Sequence, residues 1–324
     1  MTGPGGQRWR PGLNRVTLAL RAALLRRTRD FFAARTVLEV ETPVLGRHTA
    51  SAVHIESLQT VLRGYRQPFY LQTSPEYHMK RLLAAGSGDI YQISRVFRDG
   101  EAGRRHNPEF TLLEWYRTGM PYLDLATEVC ELLACLLDDA ALSLPECIRY
   151  DQALKKFTGL DTQPYSAAQL SHVLDRGGIP VPDDHRGGEL LDLVFTTLVA
   201  PELGKDRPVV IYQYPAEQAA LARLCPDEAD RAERFEVFYR GMELANGYRE
   251  LLDADEQLAR FLQDQDLRRV AGRDPTEPDD RLIAALAHGL PDCSGVAMGF
   301  DRVVMLAAAT DNIGDVLAFD TDRA

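Results

Sequence analysis

No apolar run in the sequence comes near the roughly 18 residues that a membrane-spanning helix needs, so no spanning segment is expected. Cysteine is scarce. The five present, Cys130, Cys135, Cys147, Cys225 and Cys293, form no C-x-x-C pair. A disulfide framework and a structural zinc site are therefore not expected, and idle or buried thiols are. Internal repeats and low-complexity tracts are missing as well. So is an excess of positive charge. The formal net charge is −11, the opposite sign from a protein built mainly to grip nucleic acid. Nor is there a small-residue cleavage site after an apolar core near the N-terminus, so the Arg-rich start does not read as a leader. A cytoplasmic location without membrane contact is the expectation.

What the chain does have is a composition suited to a packed core, 45% hydrophobic and 26% charged over 324 residues. The charge is uneven. Residues 1–50 hold nine arginines against Asp30, Glu39 and Glu41, a net +6, which leaves −17 for the remainder. This basic strip is either a solvated helix face or a docking strip for an acidic partner.

Glycines and prolines over 1–12 predict a flexible N-terminal segment. Apolar spacing then predicts a helix over 13–35 and a short strand over 37–44 closed by Pro43. Strands are expected over 69–72, 92–98 and 109–117, with a helix over 75–85 capped by Ser74 and opened by Pro75. A helix follows over 121–142. Residues 145–205 mix helices (166–175 and 188–200) with Gly/Pro turns and read as an insertion. Strands over 209–214, 235–239 and 241–252, and helices over 253–271, 279–289 and 303–310, complete the pattern.

One stretch looks unlike plain core. Side chains alternate along a strand, so Phe110, Leu112, Glu114 and Tyr116 share a face. A ring, a carboxylate and a phenol together suit a floor that stacks a flat base at one end and holds a cation at the other. Ordinary readings stay open: Glu114 in a salt bridge to an arginine, Tyr116 as a half-buried core phenol. Arg98 stands where a ten-residue polar loop, Asp99–Pro108, begins, and a loop of that length inside a hairpin hints at function.

Phe97-Arg98 followed by Arg105-His106-Asn107-Pro108-Glu109-Phe110-Thr111-Leu112-Leu113-Glu114-Trp115-Tyr116 resembles motif 2 of the class II aminoacyl-tRNA synthetases, in its lysyl-type form. Gly295-Val296-Ala297-Met298-Gly299-Phe300-Asp301-Arg302 resembles motif 3, and the strand ending in Pro43 after its long helix resembles the dimer-forming motif 1. Glu243-Leu244-Ala245-Asn246-Gly247-Tyr248-Arg249-Glu250-Leu251 resembles the metal and ATP strand, and Thr73-Ser74-Pro75-Glu76 the amino-acid loop. The resemblance implies an α+β catalytic domain over 13–324, a mainly antiparallel sheet flanked by helices, with the helical insertion at 145–205.

The same resemblance assigns roles. Arg98 and Arg302 are the catalytic pair, Arg98 on the α-phosphate and Arg302 over the adenine opposite Phe110. Gly100, Glu101, His106, Asn107, Leu244 and Gly299 complete the ATP site. Glu243 and Glu250 hold Mg²⁺, and a bulge at Asn246-Gly247 is expected to bring both to one face. Ser74, Glu76, Glu114, Tyr116, Asn246, Glu250 and Ala297 form the amino-acid pocket. Arg95, Arg98, Arg104 and Arg105, with Lys80 and Arg81, are expected as a positive rim. One position departs from the lysyl pattern: Gly100 stands where a glutamate is usual, and Glu101 follows. Either Glu101 substitutes through a shifted loop, or an ATP contact is missing. Only about a dozen residues precede the motif 1 helix, so no anticodon-binding domain is expected and tRNA binding is not either. The stand-alone form resembles the elongation factor P lysine ligase family. This implies a homodimer that uses ATP and (R)-β-lysine or lysine, and modifies a lysine of elongation factor P.

Overall fold

The structure, a computed structural model, describes residues 9–161, 164–181 and 187–324. Most of the segment expected to be flexible, residues 1–8, lies outside that range. At its other end the Gly12 N–H donates to the Ala318 carbonyl at 2.8 Å.

Helix α1 (Arg15–Ala33) starts at Asn14, whose side chain accepts from the Thr17 N–H, and turns Leu24, Phe31 and Phe32 inward. The chain continues through β1 (Leu38–Glu39), β2 (Leu45–Gly46), β3 (Gln59–Thr60), β4 (Phe69–Leu71), α2 (Glu76–Ala84), β5 (Ile90–Phe97), β6 (Glu109–Thr118) and α3 (Tyr122–Leu137). Next come β7 (Glu146–Arg149), α4 (Tyr150–Thr158), α5 (Ala167–Arg176) and α6 (Gly187–Val194). The last part holds β8 (Val209–Pro215), β9 (Arg231–Tyr239), β10 (Met242–Arg249), α7 (Ala254–Val270), α8 (Asp280–Gly289), β11 (Cys293–Gly299) and α9 (Phe300–Ala307).

Among the described residues, eight strands form one sheet in the order β1-β5-β6-β11-β10-β9-β8-β7, and β2-β4-β3 form a small second sheet. Only the outer pairs, β1 with β5 and β7 with β8, are parallel. The architecture is the expected α+β one, a mainly antiparallel sheet flanked by helices. Alternation divides the central strands, with one break on β10. Leu113, Trp115, Ala245, Val296 and Met298 face a core shared with α1, α3 and α9, where Phe32 stacks on Tyr91 at 4.3 Å. Leu244 excepted, their neighbours along each strand face the opposite side, toward α2, α7 and α8. A separate core of Tyr150, Leu170, Leu174, Leu190, Val194 and Phe195 packs the helices of residues 145–205 onto β8 and Phe238.

Several element boundaries differ from expectation. The helix expected over 121–142 ends at Leu137 because Asp138 takes a left-handed conformation, φ 54°. Ser74 does not occupy the cap position of α2, which Pro75 holds, yet its hydroxyl accepts from the Glu76 N–H at 3.0 Å. Strand β11 was not expected, and the last helix begins at Phe300 rather than 303.

Candidate active site

Three adjacent strands, β6, β11 and β10, supply a floor whose side chains stand in rows. In one row Glu114, Ala297 and Asn246 are register partners, and in the next Tyr116, Gly295 and Tyr248 are. A cavity of about 1130 Å³ opens over this floor. Ser74, Glu76, Arg98, Glu101, His106, Asn107, Phe110, Glu114, Tyr116, Glu243, Leu244, Asn246, Glu250, Ala297, Gly299 and Arg302 all line it. Of the residues assigned to the ATP, metal and amino-acid sites from sequence, Gly100 alone does not. It sits at an exposed turn with φ +78° and open space where a Cβ would point. Glu101 faces the cavity instead, 3.6 Å from Arg98.

Side chains at the amino-acid end are buried and acidic. Glu114 is 2% exposed. It accepts from the Ser74 hydroxyl and from the Tyr116 hydroxyl, both at 2.7 Å. Burial, then the neighbouring Glu76 charge, push its carboxyl up to about 8. Glu250 is pushed up to about 7 by burial, although Lys80 pulls it back. Lys80 was expected on a positive rim. It is instead 2% exposed beneath the floor, its ammonium 2.6 Å from Glu76 Oε1 and 2.6 Å from Glu250 Oε2. Burial opposes a charge there, but Glu250 and Glu76 outweigh it and hold Lys80 above the ordinary lysine range. The rest of that rim is largely paired off. Arg95 reaches Glu109 and Arg104 reaches Asp311.

Gly295 owes its place to closeness. A Cβ there would collide with the Tyr116 ring and a Glu250 carboxylate oxygen. The Gly295 N–H in turn supports the Glu250 carboxylate.

At the other end the groups are cationic and aromatic. The Arg98 guanidinium lies 5.1 Å from the Phe110 ring centre, and its Nε donates to the Thr73 carbonyl at 3.4 Å. Arg302 donates to the Glu243 carbonyl at 2.6 Å and lies 2.8 Å from His106 Nε2. Burial and the Arg302 charge hold His106 below its ordinary range, which suits a neutral ring accepting from Arg302. Asn107 spends its side chain internally, donating to the Glu109 carbonyl and accepting from the Thr321 N–H and hydroxyl. Asp301, buried, accepts from Arg21 at 2.5 Å and from the Thr111 N–H at 2.7 Å, which ties α1, β6 and α9 together.

The strand carrying Glu243 and Glu250 does contain a bulge, but not at Asn246-Gly247. Pairing with β9 shifts between Glu243 and Ala245, so Leu244 is the extra residue. Leu244 and Ala245 both turn into the core, and Glu243 then shares the cavity face with Asn246, Tyr248 and Glu250. Gly247 serves another need: a Cβ on it would strike the Phe235 ring. Sequence reasoning also passed over Tyr248 and the buried state of Lys80. A signal for Lys80 existed, since it lies four residues after Glu76 on one helix face.

Residues 9–323 match the family described as tRNA synthetases class II (D, K and N). The chain is 47% identical over 323 residues to the elongation factor P–(R)-β-lysine ligase of Klebsiella pneumoniae, covering 98% of each chain. A protein of the same description from Yersinia pestis shows the same identity and coverage.

Proposed function

The chain belongs to the class II (D, K and N) tRNA synthetase family, and from that premise we propose that it activates (R)-β-lysine, or lysine, with ATP and joins it to a lysine ε-amine of elongation factor P. ATP use and ligase chemistry go with the family and with its relatives.

The acidic end of the cavity carries this reading. When all three carboxyls of Glu76, Glu114 and Glu250 are ionised beside the Lys80 ammonium, the pocket carries two negative charges net. A substrate with two ammonium groups matches that number. An analogue lacking one would leave a buried carboxylate unpaired, a mismatch worth roughly 10⁴-fold in discrimination.

In the proposed reaction the substrate carboxylate attacks the α-phosphorus of ATP, the bond to the β-phosphate oxygen breaks, and pyrophosphate leaves. Arg98 neutralises charge on the α-phosphate, while Phe110 and Arg302 hold the adenine from opposite sides. Such a step needs alignment and charge compensation more than acid–base help. The acceptor ε-amine, in its neutral form, then attacks the aminoacyl carbonyl; an amide forms and AMP leaves.

Glu243 fits a magnesium ligand: its side chain is 43% exposed toward the cavity, and its nearest cation, Arg302, is 3.7 Å away. Glu250 is already engaged by Lys80 and Gly295, so its main task is in the amine pocket and any share in metal binding is secondary. Magnesium, when bound, would offset the triphosphate charge.

Residues 13–324 act as one catalytic domain, with the helical insertion at 145–205. A homodimer through α1 and β1 is supported by the exposed apolar side chains Val16, Leu18 and Leu38. Among the described residues no helix is long and apolar enough to cross a membrane, and we place the protein in the cytoplasm.

Incubation of the protein with ATP, (R)-β-lysine and elongation factor P, followed by mass spectrometry, tests the proposal. A β-lysyl mass gain on one lysine is expected. Absence of that gain, or transfer of label to bulk tRNA instead, would overturn it.

A further inference from the structure

We propose that Arg234 sets the direction in which the substrate lies. By occupying the carbonyl oxygen of the Asn246 side chain, it leaves that amide only its NH2 group to show the cavity. An NH2 group donates to a carboxylate and turns away an ammonium. The inference deepens the functional reading above and rests on it. A molecule with amines along its length and a carboxylate at one end can enter an acidic pocket either way round, and only one way brings the carboxylate to ATP.

Arg234 belongs to the same floor. Strand β9 lies beyond β10, and its Glu236 and Arg234 are the register partners of Asn246 and Tyr248. They extend the two rows by one strand: Glu114, Ala297, Asn246, Glu236 in one, and Tyr116, Gly295, Tyr248, Arg234 in the other. Arg234 borders the cavity, yet each of its three side-chain nitrogens is spent on the protein. Nε donates to Asn246 Oδ1 at 3.2 Å, Nη1 to the Gln218 carbonyl at 2.6 Å, and Nη2 to Glu236. The guanidinium also rests 4.5 Å from the Tyr214 ring centre. Held on all these sides, Arg234 acts through Asn246 and is a positioning residue rather than a catalytic one.

An arginine can only donate, so the atom of Asn246 that meets it has to be the oxygen. That leaves Nδ2 free: among the described residues it has no hydrogen-bond partner, and Asn246 lines the cavity. Without Arg234 the amide could turn over and offer its oxygen to a substrate ammonium. The placement suits a carboxylate. Asn246 stands two strands from Glu114, roughly 10 Å across the floor. A separation of that order matches an extended lysine with its terminal amine at Glu114 and its carboxylate at Asn246.

The test pairs (R)-β-lysine with cadaverine, a diamine that has no carboxylate, and measures both dissociation constants by calorimetry on the whole chain. In the wild type the carboxylate should improve binding about tenfold or more, the worth of a hydrogen bond to a charged group. Equal binding of the two would overturn the inference at once. Arg234→Met combined with Glu236→Leu removes the arginine without leaving a buried carboxylate unpaired. In that variant the preference for (R)-β-lysine over cadaverine is expected to fall about tenfold or more. The KM for (R)-β-lysine in pyrophosphate exchange should rise by a similar factor, with the KM for ATP unchanged. Arg234→Lys, which still only donates, should keep the preference within about threefold of wild type. A purely structural part would weaken both ligands alike, and an unmoved ratio in the double variant would overturn the inference.

Should the double variant not fold, Asn246→Asp decides. It keeps Arg234 and an oxygen for it to donate to, and turns an acceptor instead of a donor toward the substrate. (R)-β-lysine should then bind about tenfold or more weakly, while cadaverine binds as well as before or better. Equal loss of both ligands, or no loss of either, would overturn the inference. Wild-type protein that prefers (R)-β-lysine to cadaverine but supports no exchange would sink the functional reading alone; protein that binds neither would sink both.

Discussion

The two ends of the cavity solve the same problem, holding a charged ligand, by opposite means. The amino-acid end is dry and over-charged: Glu114 and Glu250 are almost wholly buried, and their carboxyls rise to about 8 and about 7. The nucleotide end is wetter and positive. Arg98 and Arg302 retain 25% and 22% side-chain exposure and are steered by carbonyls, a ring and a neutral histidine. Burial makes an unmatched charge costly, so the acidic end should discriminate sharply among ligands. The positive end is placed to stabilise charge that develops during reaction, so it should govern rate.

That contrast can be broken by substitution. The largest effect is expected from Glu114→Leu. It should cut (R)-β-lysine-dependent kcat/KM in pyrophosphate exchange by roughly 10⁴-fold while the KM for ATP shifts only slightly; a loss below tenfold would remove the distinction between the ends. Arg98→Ala should slow adenylate formation about 10²–10³-fold in single-turnover measurements, with amino-acid affinity nearly kept. Gly295→Ala sharpens the picture from the backbone side. Its methyl displaces Tyr116 and Glu250, and about 10²-fold in kcat/KM should go, mostly through amino-acid KM. Arg95→Ala marks the lower bound. Its pair with Glu109 is about half exposed on both sides, so thermal unfolding should change by less than about 0.5 kcal/mol, with activity untouched.

Much of this was readable in the chain itself. Alternation in 110–116 placed Phe110, Glu114 and Tyr116 on one face, and the cavity lies on that face. What escaped depended on contacts far apart in sequence. Cys293–Gly299 contains two glycines and little that favours a strand. It forms one because β6 and β10 pair with it on both sides, and its small residues leave room for their larger ones. Lys80 looks like any exposed helix lysine until Glu250, 170 positions later, arrives beside it. The bulge was expected at Gly247 because glycine in a strand usually marks one. Here the glycine answers to the Phe235 ring, and the irregularity falls on Leu244, whose identity gives no hint of it.

That one supernumerary residue makes inside and outside a matter of parity. Every position before Leu244 on its strand follows one odd–even rule, and every position after Ala245 follows the other. A single-codon deletion at 244 would leave the composition almost unaltered, yet it would send Glu243 toward the hydrophobic interior and Met242 toward the nucleotide. For this strand, spacing is inherited as strictly as chemistry.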